Sequence, residues 1–503
     1  LFDLNQNKSN ISNYQPDRGK IYDRNGQLLS TNINNPSLHV NSKNIKNKKE
    51  LSRNLSKIIN IDEKIIYEKL TSNKRFVYLK RNISPREQQK IIKLGEINLQ
   101  TEIKKNRIYP YQNISSHIVG YVDVDNKGIA GVEAGFNKRL KSGEDVYLTI
   151  DINLQNAIRN ELIKTIDQFS AESGTAIVMD IKNSEILSLN NYPDFDPNNI
   201  NKSNSDERLN RALQSNYEMG STFKPITVAM GIDKNLIKKD MRFDVSKPIK
   251  HISDWDPCDC SLSVKEIVVK SSNIGTAKIA EIIGKKNQIE FFKKIGFFDP
   301  VNINLLEAAK PYGQPNNWGK METMTIGYGY AFSITPMHLA VAYASILNNG
   351  KKHKPNITLD LNKENFTRVI DEDTSNYISY LLKSVVEETK YTGPRIRIDG
   401  YDIGGKTGTA ELMKNGSYDK NLNRTIFVGA FPMSDPKYLV LTVIDKPKRK
   451  NKNDSITAAT VNAPLVKQVI LRMIEILKLP KHDKNNILNA AISVNYKNNN
   501  AIN

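Results

Sequence analysis

Apolar positions recur with helical spacing in two long segments of the second half of the chain. After Asp151, whose side chain can cap a helix, they form one stripe, as in an amphipathic helix packed on a core. That stripe consists of Leu154, Ile158, Leu162, Ile163, Ile166 and Phe169. A second stripe ends before Pro480, which cannot continue a helix. It consists of Leu465, Val466, Val469, Ile470, Met473, Ile474 and Leu477.

Shorter apolar runs bounded by polar turns predict strands. One such run covers residues 145–151 and ends at Asp151, and the others cover residues 175–181, 185–192, 426–431 and 438–444. Two strands and a helix precede the candidate nucleophile Ser221, and further strands and a helix close the domain. This order predicts an α+β domain with a mostly antiparallel sheet flanked by helices.

The pattern also divides the chain into three parts. Residues 1–145 contain strand fragments, among them a predicted hairpin at 18–29, but no candidate catalytic cluster. We interpret them as a smaller pedestal domain of mixed structure and residues 146–480 as the catalytic domain. Residues 481–503 are polar and rich in Asn, so we expect a disordered tail.

One predicted helix is apolar on nearly every side and begins at a candidate nucleophile. Pro225 has no backbone N–H and therefore fits only the first turn of a helix. Ser221 and Lys224 are three residues apart, so their side chains share one face of that turn. A serine hydroxyl is a weak nucleophile until a base takes its proton, and a lysine kept neutral by burial can be that base.

Composition changes this picture little. The chain has 503 residues, 39% hydrophobic and 25% charged, which fits a folded protein of two or more domains. Its net charge of +19 suits contact with anionic surfaces such as phospholipid or cell-wall polymer, although a Lys-rich and Asn-rich surface explains it equally well. No basic run is interleaved with aromatic residues, so we predict no nucleic-acid binding.

We predict neither a metal site nor a membrane span. Cys258 and Cys260 are the only cysteines and the histidines are scattered, so zinc would lack ligands. We interpret this pair as structurally incidental, with a redox role as the alternative. No run of eighteen apolar residues occurs. Because the sequence starts with Leu1, we expect a signal-anchor upstream, with an arbitrary boundary as the alternative.

Two short motifs follow Ser221 and Lys224 in the chain. They are Ser271-Ser272-Asn273 and Lys406-Thr407-Gly408-Thr409. Ser-x-x-Lys and Ser-x-Asn also occur elsewhere and are weak signals singly, whereas Lys-Thr-Gly occurs once. The ordered set of three is the signature of penicillin-binding proteins and serine β-lactamases.

The chain as a whole resembles the class B penicillin-binding proteins. Beyond the three motifs, the resemblance lies in residues 18–26, 131–133, 148–151, 191–198, 210–212 and 327–329. Asn273 is typical of the cell-division type, since elongation-type relatives usually carry Asp there. The resemblance implies a penicillin-binding/serine β-lactamase-like transpeptidase domain behind a dimerisation-type pedestal. It implies a serine D,D-transpeptidase that cross-links peptidoglycan stem peptides during septal wall synthesis and is inhibited by β-lactams.

The resemblance assigns a role to each residue of the first two motifs. Ser221 attacks the penultimate D-Ala carbonyl of a stem peptide and forms an acyl-enzyme. Lys224 takes the serine proton, although the identity of this base is disputed across the superfamily. Ser271 relays the proton to the leaving amine, and Asn273 holds Lys224 and the substrate amide.

The third motif is implied to bind the substrate. Lys406, with the hydroxyls of Thr407 and Thr409, binds the terminal carboxylate, and Gly408 has no side chain to block the approach. The backbone N–H groups of Ser221 and Thr409 form the oxyanion hole.

The implied partners are the D-Ala-D-Ala donor, an amine acceptor, covalently bound β-lactams, a polymerase of the FtsW type and other septal proteins. The implied location is the bacterial inner membrane, reached through an N-terminal anchor, with the catalytic domain in the periplasm. No metal or cofactor is implied. The alternatives are an elongation-type transpeptidase, a D,D-carboxypeptidase or β-lactamase, and a non-enzymatic division scaffold or β-lactam sensor.

Overall fold

The structure is a computed structural model that describes residues 16–313, 318–360, 365–414, 417–449 and 455–481. The start of the chain and nearly all of the tail predicted at 481–503 lie outside these ranges. Among the described helices, none combines the length and the apolar character needed to cross a membrane.

The N-terminal part is built on one long strand, β2. Its strands are β1 (Ile21–Tyr22), β2 (Leu28–Val40), β3 (Val77–Lys80), β4 (Leu99–Ile108), β5 (Tyr121–Val122), β6 (Gly128–Ala130) and β7 (Val146–Tyr147). Its helices are α1 (Lys48–Ile59), α2 (Glu63–Thr71), α3 (Pro85–Ile92), α4 (Ser116–Val119), α5 (Gly131–Gly135) and α6 (Asn137–Lys141), with a 3-10 turn at Gln112–Ser115. β2 pairs with β1, β3 and β4, and β7 joins parallel to β1. The predicted hairpin at 18–29 is thus the β1–β2 pair.

A buried ion cluster ties this part together. The Glu133 carboxylate accepts hydrogen bonds from Arg107 Nε at 2.6 Å, Arg18 Nε at 2.7 Å and Ser30 Oγ at 3.0 Å. All four residues are buried. A buried charge is stable only beside an opposite charge, and here one carboxylate contacts two guanidinium groups from distant parts of the chain.

The C-terminal part contains the larger sheet and most of the helices. Its strands are β8 (Ser173–Asp180), β9 (Ile186–Tyr192), β10 (Tyr217–Glu218), β11 (Arg242–Asp244), β12 (Ser261–Ser263), β13 (Ser333–Ile334), β14 (Lys351–His353), β15 (Phe366–Arg368), β16 (Gly404–Lys414), β17 (Ser417–Phe431) and β18 (Tyr438–Asp445). Its helices are α7 (Ile152–Phe169), α8 (Arg211–Gln214), α9 (Lys224–Asp233), α10 (Val264–Val269), α11 (Asn273–Ile295), α12 (Lys320–Gly327), α13 (Pro336–Leu347), α14 (Glu372–Glu388), α15 (Gly393–Ile396) and α16 (Ala458–Leu477). 3-10 turns lie at Pro197–Lys202 and Gly220–Phe223.

The larger sheet has the strand order β16-β17-β18-β8-β9 and is antiparallel throughout, which confirms the predicted arrangement. Side chains alternate between its faces, as strand geometry requires. Ala176 and Val178 join the core under α7 and α16, whereas Ile177 and Met179 join the core that contains α9, α11 and α13. Every residue of α13 is buried, so this helix lies inside the core on the face of the sheet that carries Ile177 and Met179.

Residues 146–151 pass from one sheet to the other. Only β7 is a strand, although the sequence predicted one through residue 151. The Leu148 N–H donates to Tyr22 O, the Thr149 N–H to Ile357 O and the Asp151 N–H to Leu187 O. Because these partners belong to different parts of the chain, the extended segment cannot continue one ladder. The Asp151 side chain then caps α7 as predicted. The predicted boundary at 145/146 stays a prediction.

Glu133→Ala should lower the free energy of unfolding by about 3–5 kcal/mol, because it leaves two buried guanidinium groups unpaired. Urea unfolding followed by circular dichroism measures this change. Glu68→Ala is the matched control, since Glu68 is exposed on α2, and it should change stability by less than about 0.5 kcal/mol. Equal effects of both substitutions would contradict the role of the cluster.

Candidate active site

Ser221 lies in the 3-10 turn Gly220–Phe223, directly before α9. Pro225 is in the first turn of α9, as its missing N–H predicts. The turn is fixed from α13, since the Tyr343 hydroxyl donates to Thr222 O at 2.7 Å. It is also fixed from the loop after α12. There, a Cβ on Gly329 (φ +93°) would lie 2.0 Å from Gly220 O, so only glycine permits this approach.

Lys224 is completely buried at the start of α9. Its Nζ donates to Ser271 O and lies 3.1 Å from Ser271 Oγ. Burial holds the pKa of Lys224 well below its usual range, and the charge of Lys406 lowers it further, while Asp254 acts in the opposite direction. A lysine in this environment can be neutral, which is the form a general base requires.

Ser271 joins α10 to α11 and connects the two lysines of the motifs. Its φ of +60° lies in the left-handed region, which is strained for a residue other than glycine. Its Oγ is 3.1 Å from Lys224 Nζ and 2.9 Å from Lys406 Nζ. A hydroxyl has one proton to donate and two lone pairs to accept with. Ser271 can therefore donate to one neutral amine while it accepts from one ammonium group.

Lys406 is on β16, at the edge of the larger sheet, and only 2% of it is exposed. Its Nζ also donates to Thr407 O at 3.1 Å. Burial lowers the pKa of Lys406 to about 7. The side chain thus provides a cation near neutral pH in a place that water barely reaches.

The rest of the third motif lies against the 3-10 turn Gly220–Phe223. We call this the nucleophile turn, because it carries the candidate nucleophile Ser221. A Cβ on Gly408 would come within 2.8 Å of Met219 O and 3.0 Å of Thr222 Cγ2, so a larger residue would push β16 away. Thr407 and Thr409 are half-buried. The Thr409 hydroxyl accepts from the Ala458 N–H at the start of α16, at 3.1 Å, and keeps its own proton for another partner.

Asn273 begins α11 and points to a different neighbour from the one expected. Its side-chain Nδ2 donates to Ser253 O at 2.9 Å. Within the described residues, no hydrogen bond joins Asn273 to Lys224, and none joins Ser221 to Lys224. The implied roles of Asn273 in holding Lys224 and of Lys224 in taking the Ser221 proton stay predictions.

The structure thus brings most of the predicted residues to one place. Ser271 contacts both Lys224 and Lys406, and Gly408 touches the turn that carries Ser221. These contacts join segments far apart in the chain, which is the condition that the three-motif hypothesis requires.

A polar and aromatic wall beside the nucleophile turn was not predicted from the sequence. The Glu218 carboxylate accepts from the Ala331 N–H at 2.7 Å and from the Tyr418 hydroxyl at 3.1 Å. Burial raises the pKa of Glu218. The Tyr330 ring packs edge-on against Tyr418, and burial raises the pKa of Tyr330 to about 12. Glu218 directly precedes the first motif in the sequence. Its partners Ala331 and Tyr418 belong to two distant segments, and no local sequence pattern connects them to it.

Two features of the loop before α10 were not predicted from the sequence either. Cys258 and Cys260 form a disulfide, so they are not structurally incidental. Asp254 accepts from Ser272 Oγ at 2.6 Å and from the Asn273 N–H at 2.5 Å, and it therefore contacts the second motif directly. Neither pairing could be read from spacing alone.

Comparisons with known proteins agree with this geometry. The family model described as the penicillin binding protein transpeptidase domain matches residues 174–468, and the penicillin-binding protein dimerisation domain matches residues 13–179. The probable peptidoglycan D,D-transpeptidase FtsI of Caulobacter vibrioides is 30% identical over 480 residues, 91% of this chain and 80% of the relative. The probable peptidoglycan D,D-transpeptidase PenA of Neisseria meningitidis serogroup A is 28% identical, over 86% of this chain and 80% of the relative.

A solved structure shows the same fold. The crystal structure of a peptidoglycan synthetase from Bifidobacterium adolescentis superposes with a TM-score of 0.73 at 20% identity, covering 93% of this chain and 97% of the other. With both family models matched in order along the sequence, the chain belongs to the FtsI-type class B penicillin-binding proteins, in which a dimerisation domain precedes a transpeptidase domain.

Proposed function

We propose that this protein is a serine peptidoglycan D,D-transpeptidase that forms its acyl-enzyme on Ser221. The observation that carries the proposal is the Ser271 hydroxyl, hydrogen-bonded to both Lys224 and Lys406 beside the nucleophile turn. We also propose residues 1–145 as the pedestal and residues 146–480 as the catalytic domain.

Acylation begins when the Ser221 oxygen attacks the penultimate D-Ala carbonyl of a stem peptide. Neutral Lys224 takes the Ser221 proton as the new C–O bond forms. The backbone N–H groups of Ser221 and Thr409 stabilise the negative oxygen of the tetrahedral intermediate. When the C–N bond breaks, the proton passes from Lys224 through the Ser271 hydroxyl to the departing D-Ala amine. The hydrogen bond between Lys224 and Ser271 supports this path.

The substrate's terminal carboxylate binds at Lys406. An ammonium group in a buried site attracts a carboxylate far more strongly than one in water. The hydroxyls of Thr407 and Thr409 add donors, and the absent side chain of Gly408 lets this strand lie close to the turn that carries Ser221. We also propose that the Asn273 amide orients the donor peptide.

Deacylation transfers the acyl group to the amine of a second stem peptide. That amine attacks the ester carbonyl, Ser221 recovers its proton through Lys224, and the new amide is the cross-link. A β-lactam has the same reactive carbonyl, but its leaving amine stays attached, so Ser221 remains acylated.

Family membership supports a role in septal wall synthesis. Accordingly, we place the catalytic domain in the periplasm, at the bacterial inner membrane, with an N-terminal anchor. An FtsW-type polymerase and other septal proteins are its proposed partners. The alternatives are an elongation role, hydrolysis of the acyl-enzyme, and a non-enzymatic role as scaffold or sensor. Covalent labelling separates an enzyme from a scaffold, and the reaction product separates transfer from hydrolysis.

Ser221→Ala should abolish covalent labelling by a fluorescent penicillin, because the substitution removes the oxygen on which the acyl-enzyme forms. Mass spectrometry of the digested wild-type protein should place the adduct on Ser221. Ser434→Ala is the matched control, since Ser434 is exposed and also has a lysine three residues later. It should label like wild type. A label that persists in Ser221→Ala would refute the assignment.

With a D-Ala-D-Ala stem peptide and an acceptor amine, the wild-type protein should yield cross-linked dimer. Liquid chromatography with mass detection separates this dimer from trimmed monomer. Monomer as the sole product would identify a carboxypeptidase instead.

The second-order rate constant for acylation should show a bell-shaped dependence on pH, because it depends on the protonation of Lys224 and Lys406 in the free enzyme. The rate rises as Lys224 loses its proton. It falls above about pH 7, by about tenfold for each further pH unit, as Lys406 loses the charge that binds the carboxylate. Stopped-flow measurements with a chromogenic cephalosporin between pH 5 and 9 would show both limbs.

Lys406→Arg tests the falling limb, since a guanidinium stays charged throughout this range. The variant should acylate more slowly at pH 7 but lose the fall toward pH 9. Lys437→Arg, at an exposed lysine, should keep the wild-type profile. An identical falling limb in Lys406→Arg would contradict the assignment.

A further inference from the structure

Asp254 is the point at which the loop between β11 and β12 meets the second motif. Its Oδ2 accepts from Ser272 Oγ at 2.6 Å, and its Oδ1 accepts from the N–H groups of Asn273 at 2.5 Å and Ile274 at 2.9 Å. Both carboxylate oxygens are therefore used on the first residues of α11. Asp254 has no role in the proposed acylation steps themselves.

The contacts of Asp254 begin one residue after the strained Ser271. The first N–H groups of a helix have no partner within the helix, and a carboxylate there is favoured by the helix dipole. Ser272 also caps α11 itself, since its Oγ accepts from the Gly275 N–H at 2.9 Å. Asp254 holds this capping hydroxyl by accepting a hydrogen bond from it. The start of α11 is thereby fixed, and Ser271 just before it is kept at φ +60°.

The loop that carries Asp254 is itself braced on both sides. Ile249 and Ile252 exchange backbone hydrogen bonds at 2.9 and 3.0 Å just before it. The Cys258–Cys260 disulfide follows it, and Cys260 O accepts from the Val245 N–H at 3.0 Å. A braced loop can hold a neighbouring segment in a strained conformation, because the surrounding contacts together over-determine it.

We propose that Asp254 is a positioning residue for acylation, one that keeps the Ser271 hydroxyl between the amines of Lys224 and Lys406. This inference rests on the proposed function of the site. It extends that function to a residue outside the three motifs, which acts through Ser272 and the start of α11.

The charge of Asp254 gives the proposal a second, independent readout. Two charged groups face the Lys224 amine, Lys406 from β16 and Asp254 from the loop. The first lowers the pKa of Lys224 and the second raises it. Removing the negative charge alone should therefore lower the pKa of Lys224 and move the rising limb of acylation toward lower pH.

Two substitutions separate position from charge. Asp254→Asn keeps an acceptor for the Asn273 and Ile274 N–H groups and removes the charge, while its amide N–H can donate to Ser272 Oγ where the carboxylate accepted. It should acylate within about threefold of wild type at the pH optimum, with the rising limb moved to lower pH. Asp254→Ala removes the acceptor as well and frees Ser271, so acylation should be slower on the order of 10- to 100-fold, as small misplacements of reacting groups cause.

The experiment measures acylation of the full chain by a chromogenic cephalosporin from pH 5 to 9, with thermal unfolding of each variant. Asp259→Asn is the matched control, because Asp259 is exposed in the same loop and, among the described residues, has no hydrogen bond or ion pair to α11. It should match wild type. Asp254→Ala at the wild-type rate, or Asp254→Asn indistinguishable from Asp259→Asn across pH, would overturn the proposal.

Ser221→Ala keeps the two proposals apart. If wild type acylates and Ser221→Ala does not, the proposed function stands, and the Asp254 variants then decide the positioning role alone. If Asp254→Ala unfolds below the assay temperature, the pH profile of Asp254→Asn still decides it, since a merely structural cap would leave that profile unmoved.

Discussion

The hydroxyl of Ser271, placed between two buried amines, is the contact on which the site depends. It is unfavourable for two buried lysines side by side to be charged at the same time, because burial and mutual repulsion both disfavour the charged form of each amine. The hydroxyl resolves this conflict, since it accepts from a charged amine and donates to a neutral one. One lysine can thus serve as the base and the other as the cation for a carboxylate. Two side chains of the same type acquire different roles from their positions alone.

The fold supplies this contact by joining elements that are distant in the chain. Lys224 comes from an apolar helix that packs against the fully buried α13, and Lys406 comes from the edge of the antiparallel sheet. Gly408 lets that edge touch the nucleophile turn, which a side chain would prevent. The hydrophobic core beneath the site continues into the base of the N-terminal part, where Ile21 and Val132 belong to the same cluster. The pedestal is therefore packed against the catalytic part through shared apolar contacts.

The sequence predicted what depends on local pattern. The α7 stripe after the cap at Asp151 and the strands around β8 and β9 followed from periodicity, and the motif residues followed from the family resemblance. The sequence pattern could not predict contacts between residues that are far apart along the chain or that depend on the path of a loop. The disulfide at Cys258, the carboxylate of Asp254 against α11 and the partners of Glu218 all depend on loops whose paths periodicity does not encode. The strand predicted through residue 151 ends early for the same reason, since the residues after β7 donate to three different segments.

The most direct test of this account is the titration of Lys224 itself. Protein labelled with ¹³C at lysine Cε can be followed by NMR from pH 5 to 11, with the Lys224 signal assigned by its loss in Lys224→Met. The account predicts a midpoint well below the usual value of about 10.4, because the amine is buried beside Lys406. A midpoint near about 10.4 would show a charged lysine at neutral pH, and the base at the centre of the site would have to be sought elsewhere.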